Sequence, residues 1–405
     1  MIKLNQLFIE ALPVIRKLEA AGYEAYFVGG AVRDFLLNRE IHDVDIATSA
    51  TPLEIKEIFS STVDVGIEHG TILVLYKGQS FEVTTFRSES NYVDYRRPGT
   101  VTFIRSLEED LKRRDFTINA IALSGDGQLI DPFKGQEALE SKLIQTVGNP
   151  ADRFEEDALR LMRAIRFVSQ LGFKVEDNTM QELFHKAPLL QHIAIERITA
   201  EMVKLLSGAY NHQALAIALK TNIYKYWPSL YHNQATIQTA LTLPIQQLNE
   251  VELWVLAVYL HKSKDIKNDL SKWKLPSKKI KLITTMYHFL LWRLENDWTS
   301  YSLYSAGFKI ACSVEKIFTT IHKLNDTDRR LKKLKLEYEK LKIHERSEMQ
   351  VNGTELAQWL NREPGPWIKN MLEEIEQMIL DSRLQNEKME IRKWVQSCQI
   401  PSEKN

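Results

Sequence analysis

Cysteine is nearly absent from this chain of 405 residues: Cys312 and Cys398 are its only two, and no spacing around them suits a metal site. That excludes a disulfide framework and argues against structural zinc, and it fits a reducing cytosol. A net charge is also lacking, since Lys plus Arg and Asp plus Glu stand at 53 each, so any nucleic-acid surface must be a local basic patch. No apolar run is long enough to span a bilayer; the most apolar, residues 253–260, falls far short. The first 22 residues carry acidic side chains among the apolar ones and predict an amphipathic helix rather than a signal peptide. Repeats and low-complexity segments are missing too. A cytoplasmic protein without membrane association is expected, of a length that calls for two to four domains.

The first 150 or so residues mix helix and strand. After the opening helix, a strand is expected at 25–28, a helix through Leu37, a strand at 44–47, and a helix started by Thr51 as N-cap and Pro52 at N1. Residues 71–76 and 80–86 read as a hairpin around Lys77, Gly78 and Gln79. The polar stretch 87–99, RSESNYVDYRRPG, has neither helical nor strand periodicity and reads as a mobile loop. Residues 118–123 and the turn at 124–127 close this region with a last strand pair. From Asp152 onwards strand signals nearly vanish, and helical patterns separated by Gly and Pro breaks run to the end. One of them, 329–342, is a lysine-rich amphipathic helix whose basic face is a lesser candidate for RNA phosphate.

The chemistry centres on residues 29–45, GGAVRDFLLNREIHDVD. Alternate side chains of a strand share a face, so Asp43 and Asp45 point together, and two carboxylates that close call for a cation between them. Their hard oxygens suit Mg²⁺, which takes one or two carboxylates plus substrate phosphates. Gly29 and Gly30 let the backbone approach an anion, and Arg33 follows within about one helical turn. Alone, an acidic pair of this kind is equally a turn and a solvated strand. Glu82, polar between Phe81 and Val83, could share the metal or take a proton if its strand lies beside the acidic pair; an edge-strand glutamate facing solvent has the same pattern. The run Lys112, Arg113, Arg114, Asp115 offers phosphate contacts, with Asp115 able to orient one of these arginines.

Residues 155–167, EEDALRLMRAIRF, predict a helix with Ala158, Leu161, Met162 and Ile165 on one face. Asp157, Arg160, Arg163 and Arg166 fall on the remainder, Asp157 and Arg160 as i,i+3 neighbours. An exposed salt bridge would account for that spacing. So would a base reader: cytosine and adenine each present an amino donor beside a ring-nitrogen acceptor, the complement of a carboxylate next to a guanidinium. Uracil and guanine present the opposite order and would leave both groups unpaired. Arg163 and Arg166 then remain for phosphates or RNA.

In order and spacing, GGAVRD with HDVD, then RRDFTINAIAL, then EDALRLMRAIRF resemble the motifs of the class II tRNA nucleotidyltransferases, the CCA-adding enzymes, in the polymerase-beta-like superfamily. Residues 85–99 and 193–208 are similar to that family's flexible loop and neck-helix motif, and EPGPW at 363–367 to Bacillus-type bacterial tails. The resemblance implies an α+β fold: a polymerase-beta-like nucleotidyltransferase head with a mixed sheet at 1–150, then an all-α neck at 151–212, body at 213–290 and tRNA-binding tail at 291–405. It implies Mg²⁺-dependent transfer of CMP, CMP and AMP from CTP and ATP to the tRNA 3′ end, with pyrophosphate released, by a monomer or homodimer. Carried over by position, Asp43 and Asp45 would hold the metal and Glu82 would assist deprotonation of the 3′-hydroxyl. Gly30, Arg33, Arg114, Arg163 and Arg166 would contact the nucleotide, while Asp157 and Arg160 would read the base. The rival readings are a poly(A) polymerase, an enzyme adding only CC or only A, and a non-catalytic RNA-binding module. The first would carry a GRRF-type basic segment after the acidic pair, where this chain has VDVGIEHG at 63–70.

Overall fold

The computed structural model describes residues 2–95 and 97–398. These divide into two compact units, one of residues 1–241 and 268–275, the other of 242–267 and 276–405. The fold is α+β: a mixed sheet with helices at the start, then mostly helices; the expected all-α neck is corrected by a short strand, Lys174–Val175, paired in parallel with Leu143–Ile144.

In the first unit, helix α1 (Gln6–Ala20) begins at Asn5, whose side chain accepts from the Phe8 N–H at 3.1 Å. Its Phe8, Ala11, Val14, Ile15 and Leu18 form one buried stripe. Phe8 lies 4.6 Å from Phe27 on strand β1 (Ala25–Val28), which seats the helix on the sheet. Helix α2 (Gly30–Leu36) and strand β2 (Asp45–Thr48) follow. Helix α3 (Pro52–Ile58) starts with the expected Thr51 cap and Pro52, reinforced by Glu54 in a reciprocal capping box. Strands β3 (Thr62–Gly66), β4 (Thr71–Tyr76) and β5 (Gln79–Thr85) come next. Lys77 and Gly78 both have positive φ, the two-residue turn whose twist matches a hairpin.

Strands β6 (Arg87–Val93) and β7 (Arg97–Phe103) form a separate two-stranded ribbon. Helix α4 (Leu107–Lys112), strands β8 (Ala122–Leu123) and β9 (Leu129–Ile130), and helix α5 (Gly135–Glu140) complete the region. The sheet order is β3-β4-β5-β2-β1-β8-β9, with β2 and β5 parallel and the other neighbours antiparallel. That order puts β1, β2 and β5, which carry the glycine pair, the acidic pair and Glu82, side by side at the centre. Helices α6 (Pro150–Glu156), α7 (Leu159–Leu171), α8 (Asp177–Lys186) and α9 (Ile195–Leu206) then pack with the head in the same unit. In the second unit long helices, among them Ser277–Glu295, Ser300–Ile321 and Trp367–Leu380, surround a core that includes Leu303, Ile343, Leu356 and Ile375. Among the described residues no helix is long and apolar enough to cross a membrane.

Three further expectations are corrected and one strand is added. The stretch 87–99 is a paired ribbon rather than an irregular loop, from Arg87 opposite Phe103 to Val93 opposite Arg97, with Arg96 outside the described residues. Its polar composition hides the strands because Glu89 accepts from Arg87 at 2.7 Å and from Tyr92 at 2.6 Å, so the charges are matched within the ribbon. The added strand is the edge strand β3, five residues long, whose alternating Val63 and Val65 are both exposed, so no buried face marks it. Of 118–123 only Ala122–Leu123 is strand, since Thr117–Asn119 turns as a short 3₁₀ helix. The helix expected over 155–167 is broken at Asp157, whose φ of −137° and ψ of 102° are extended. This extended backbone ends α6, and at the start of the next helix the Asp157 side chain accepts from the Leu159 N–H at 3.1 Å.

Candidate active site

Strand register assembles the acidic part. In the parallel β2–β5 pair Asp45 stands opposite Glu82, and in the antiparallel β1–β2 pair it stands opposite Val28, next to Gly29. Directly paired residues share a face, so the Asp45 and Glu82 carboxylates lie on the same side of the sheet. Asp43 precedes β2 by two residues. Burial, the negative charge of Glu82 and that of Asp43 raise the Asp45 pKa above the usual carboxylate value, against the opposing pull of Arg114. Asp45 is still open to solvent on one side.

Two cavities meet at this aspartate. One, of about 620 Å³, is acidic and lined by Glu10, His42, Asp43, Asp45, Gln79 and Glu82. The other, of about 520 Å³, is basic, with Arg33, Arg113, Arg114, Arg160, Arg163, Arg166, Arg197 and Lys204 against Asp45, Asp115 and Asp157. Gly29 and Gly30 form its floor beside Asp45. Gly29 has φ +73°, where a side chain is strained, and a Cβ there would stand 3.4 Å from Arg114 Nη1 and 3.5 Å from Asp45 Oδ2.

A chain of hydrogen bonds fixes the cations across the cleft. Arg33 donates to Asp34 at 2.7 Å and to Asn119 Oδ1 at 2.7 Å; Asn119 in turn donates to Asp115 at 3.0 Å. Arg163 of α7 donates to the other Asp115 oxygen at 2.6 Å. Burial alone would raise the Asp115 pKa, but Arg163, Asn119 and Arg160 outweigh it and hold the carboxyl at about 2. Asp115 therefore orients Arg163 and not a member of its own basic run. Arg113 and Arg114 are held instead by the fully buried Asp110, at 2.8 and 3.2 Å. Arg113 also reaches Glu89 of the ribbon at 3.3 Å, and the Tyr95 carbonyl at the ribbon tip accepts from the Ala158 N–H at 3.0 Å. The ribbon thus touches both walls of the cleft.

Asp157 and Arg160 both line the cleft without pairing with each other. Arg197 of α9 donates to both Asp157 oxygens, at 2.9 and 3.3 Å. Arg160 donates to Glu156 at 2.6 Å and to the carbonyls of Arg153 and Arg113 at 3.0 Å each. Neither Arg160 nor Arg166 is on a solvated face, as the helical-wheel reading expects; each is 7 % exposed. Arg166 donates to Gln170 at 2.6 Å and lies 2.5 Å from Glu201. Sequence reasoning missed Arg197, Asn119 and Asp110. Arg197 and Asn119 lie within stretches already singled out, but only the packing of α7 on α9 and of α2 on Asn119 assigns them to the cleft. Among the described residues no group of three or more His, Cys, Asp or Glu side chains forms a closed metal cage.

The geometry has relatives. Residues 25–145 match the family described as Poly A polymerase head domain, and 231–395 match a tRNA nucleotidyltransferase domain 2. A CCA-adding enzyme of Bacillus cereus strain G9842 is 45% identical over 97% of this chain and 99% of its own length. One from Enterococcus faecalis is 47% identical over 94% of this chain and 93% of its own. The crystal structure of the Bacillus stearothermophilus CCA-adding enzyme in complex with CTP superposes with a TM-score of 0.87 at 41% identity, covering 97% of this chain and 98% of that one.

Proposed function

The chain belongs to the CCA-adding enzymes, and from that premise we propose how its cleft builds the CCA end of tRNA. The enzyme is a tRNA nucleotidyltransferase that adds C, C and A to the tRNA 3′ end from CTP and ATP without a nucleic-acid template. The observation that carries the site assignment is Asp45, shared between an acidic cavity and a basic cleft. A triphosphate suits the basic side, where Arg33, Arg114, Arg163 and Arg166 converge beside the open backbone of Gly30. The acceptor 3′-hydroxyl then approaches from the acidic side, where Glu82 is placed to assist its deprotonation.

Asp43 and Asp45 are the residues to hold Mg²⁺. Their hard oxygens, and an Asp45 whose charge is disfavoured by burial and by two neighbouring carboxylates, fit a divalent cation. So few protein ligands suit a metal that keeps water and substrate phosphate in its shell. Bound there, Mg²⁺ would polarise the α-phosphate and favour the ionised 3′-hydroxyl. The arginines bind and orient the triphosphate and offset the charge on departing pyrophosphate. Asp157 accepts from the exocyclic amino group of cytosine or adenine, and Arg160 donates to the adjacent ring nitrogen. For this Arg160 exchanges one of its present acceptors for the base, while Asp157 keeps Arg197 and uses remaining lone pairs.

Head to residue 150, neck to 212, body to 290 and tRNA-binding tail to 405 is the division we assign, and the cytoplasm is the compartment. With Mg²⁺, CTP, ATP and a tRNA ending at its discriminator base, the protein extends the tRNA by three nucleotides and stops. A long adenylate ladder would establish a poly(A) polymerase, two nucleotides or one a partial adding enzyme, and no extension by folded protein an RNA binder. Asp43→Ala abolishes transfer and leaves tRNA binding intact; retained turnover would remove the metal assignment.

A further inference from the structure

Three of the cleft's arginines converge on one aromatic ring. The Cζ atoms of Arg166, Arg33 and Arg163 lie 3.9, 5.1 and 5.6 Å from the centroid of Phe167. Arg33 comes from α2 in the head and the other two from α7, so the ring is where cations from separate elements meet. Each guanidinium has its own polar anchor: Asp34 and Asn119 for Arg33, Asp115 for Arg163, Gln170 and Glu201 for Arg166. The one partner they share is Phe167. It lines the cleft, is 2 % exposed, and is fixed by an edge-to-face contact with Phe116 at 5.6 Å and 83°.

Like charges gathered this closely repel. Burial, together with the charge of Arg163, disfavours the charged form of Arg166 despite Glu201 beside it. Arg166 is buried, with Glu201 Oε2 2.5 Å from its Nε and Gln170 as a further acceptor. The negative face of the Phe167 ring adds to these separate counter-charges and is the one attraction that all three cations share. A buried aliphatic side chain would fill the same space without that field.

We propose that Phe167 is a positioning residue whose ring face holds Arg33, Arg163 and Arg166 together as a preformed receptor for the nucleoside triphosphate tail. The inference rests on the reading that this cleft takes a triphosphate. Because the ring acts on phosphate-binding cations and not on Asp157 or Arg160, its effect is the same for CTP and ATP and leaves base choice alone.

The test compares wild type, Phe167→Leu, and protein with a ring-fluorinated phenylalanine at position 167, which keeps the shape and depletes the π face. Inorganic tripolyphosphate binding is measured in Mg²⁺ buffer, and KM and kcat are measured for CTP and ATP. Both substitutions should weaken tripolyphosphate binding and raise both KM values by about 10-fold, the ratio that about 1.4 kcal/mol of lost attraction produces. The kcat should stay within about twofold and the CTP-over-UTP preference should not move, as expected when uniform binding is lost. A fluorinated ring that binds tripolyphosphate as tightly as wild type would reduce Phe167 to core packing and overturn the inference, whether or not the leucine variant folds. Wild type that binds no tripolyphosphate would instead overturn the triphosphate reading itself.

Discussion

At the residue scale the informative feature is how carboxylates divide between two jobs. Asp110 and Asp115 are buried beneath the basic cleft, ionised and spent on arginines, so they position cations and do no chemistry. Asp45 feels the negative charges of Glu82 and Asp43 against the opposing pull of Arg114, and that imbalance makes the acidic group a candidate for a cation. Asp157 belongs to neither group, because Arg197 holds both its oxygens while its edge still faces the cleft. Replacing it should therefore harm selection before it harms transfer. In Asp157→Ala the ratio of kcat/KM for CTP over UTP should fall by about tenfold or more, the scale of discrimination lost when a site no longer penalises a mismatched donor–acceptor pair. Incorporation of UMP and GMP on a primed tRNA reads this directly, and an unchanged ratio would show that base choice lies elsewhere.

At the element scale, two irregularities build the site. The first is the left-handed Gly29 between β1 and α2, which turns the chain so that Arg33 and Asp45 face one cleft. Gly29→Ala should cost about 1–3 kcal/mol of stability from the backbone alone. It should also raise the KM for CTP, since even a methyl group enters the gap between Arg114 and Asp45. Chemical denaturation and steady-state kinetics separate the two effects; wild-type values of both would mean that this turn tolerates a side chain. The second is the break between α6 and α7. A continuous helix would carry Asp157 around as one more polar position, whereas the extended residue lets its carboxylate cap α7 and meet Arg197 from α9.

On the scale of the whole molecule, the cleft belongs entirely to the first compact unit, and the second has an ionic core of its own. There Glu315, 2 % exposed, accepts from Arg293 at 2.8 and 3.2 Å, from Trp298 at 2.9 Å and from Arg330 at 3.3 Å. Removing the shared acceptor leaves buried Arg293 with only the exposed Asp297, at 3.4 Å, as a counter-charge, a change approaching the loss of a buried ion-pair partner, which typically costs about 3–5 kcal/mol. Glu315→Ala should lower the unfolding temperature of the C-terminal unit while CTP affinity stays within about twofold of wild type. A parallel loss of CTP binding would mean that the two units are energetically one.

Features set by neighbours along the chain are legible in the sequence alone. The glycine pair followed by Arg33, the Thr51 cap with Pro52 at N1 and the hairpin around Lys77, Gly78 and Gln79 are set by local geometry, which spacing reports directly; the Glu54 half of the capping box and the exact two-residue turn are seen only in the structure. The tertiary structure decided what depends on contacts distant in sequence. It brought Glu82 into register with Asp45, gave Asp115 to Arg163 and Asp110 to Arg113 and Arg114, and paired Asp157 with Arg197. It also paired the ribbon at 87–103, whose polar residues satisfy one another, and buried arginines that periodicity places at the surface. The physical reason is common to all of these: a buried charge takes the orientation its nearest counter-charge dictates, and that partner comes from whichever element folding packs against it, not from the next turn of its own helix.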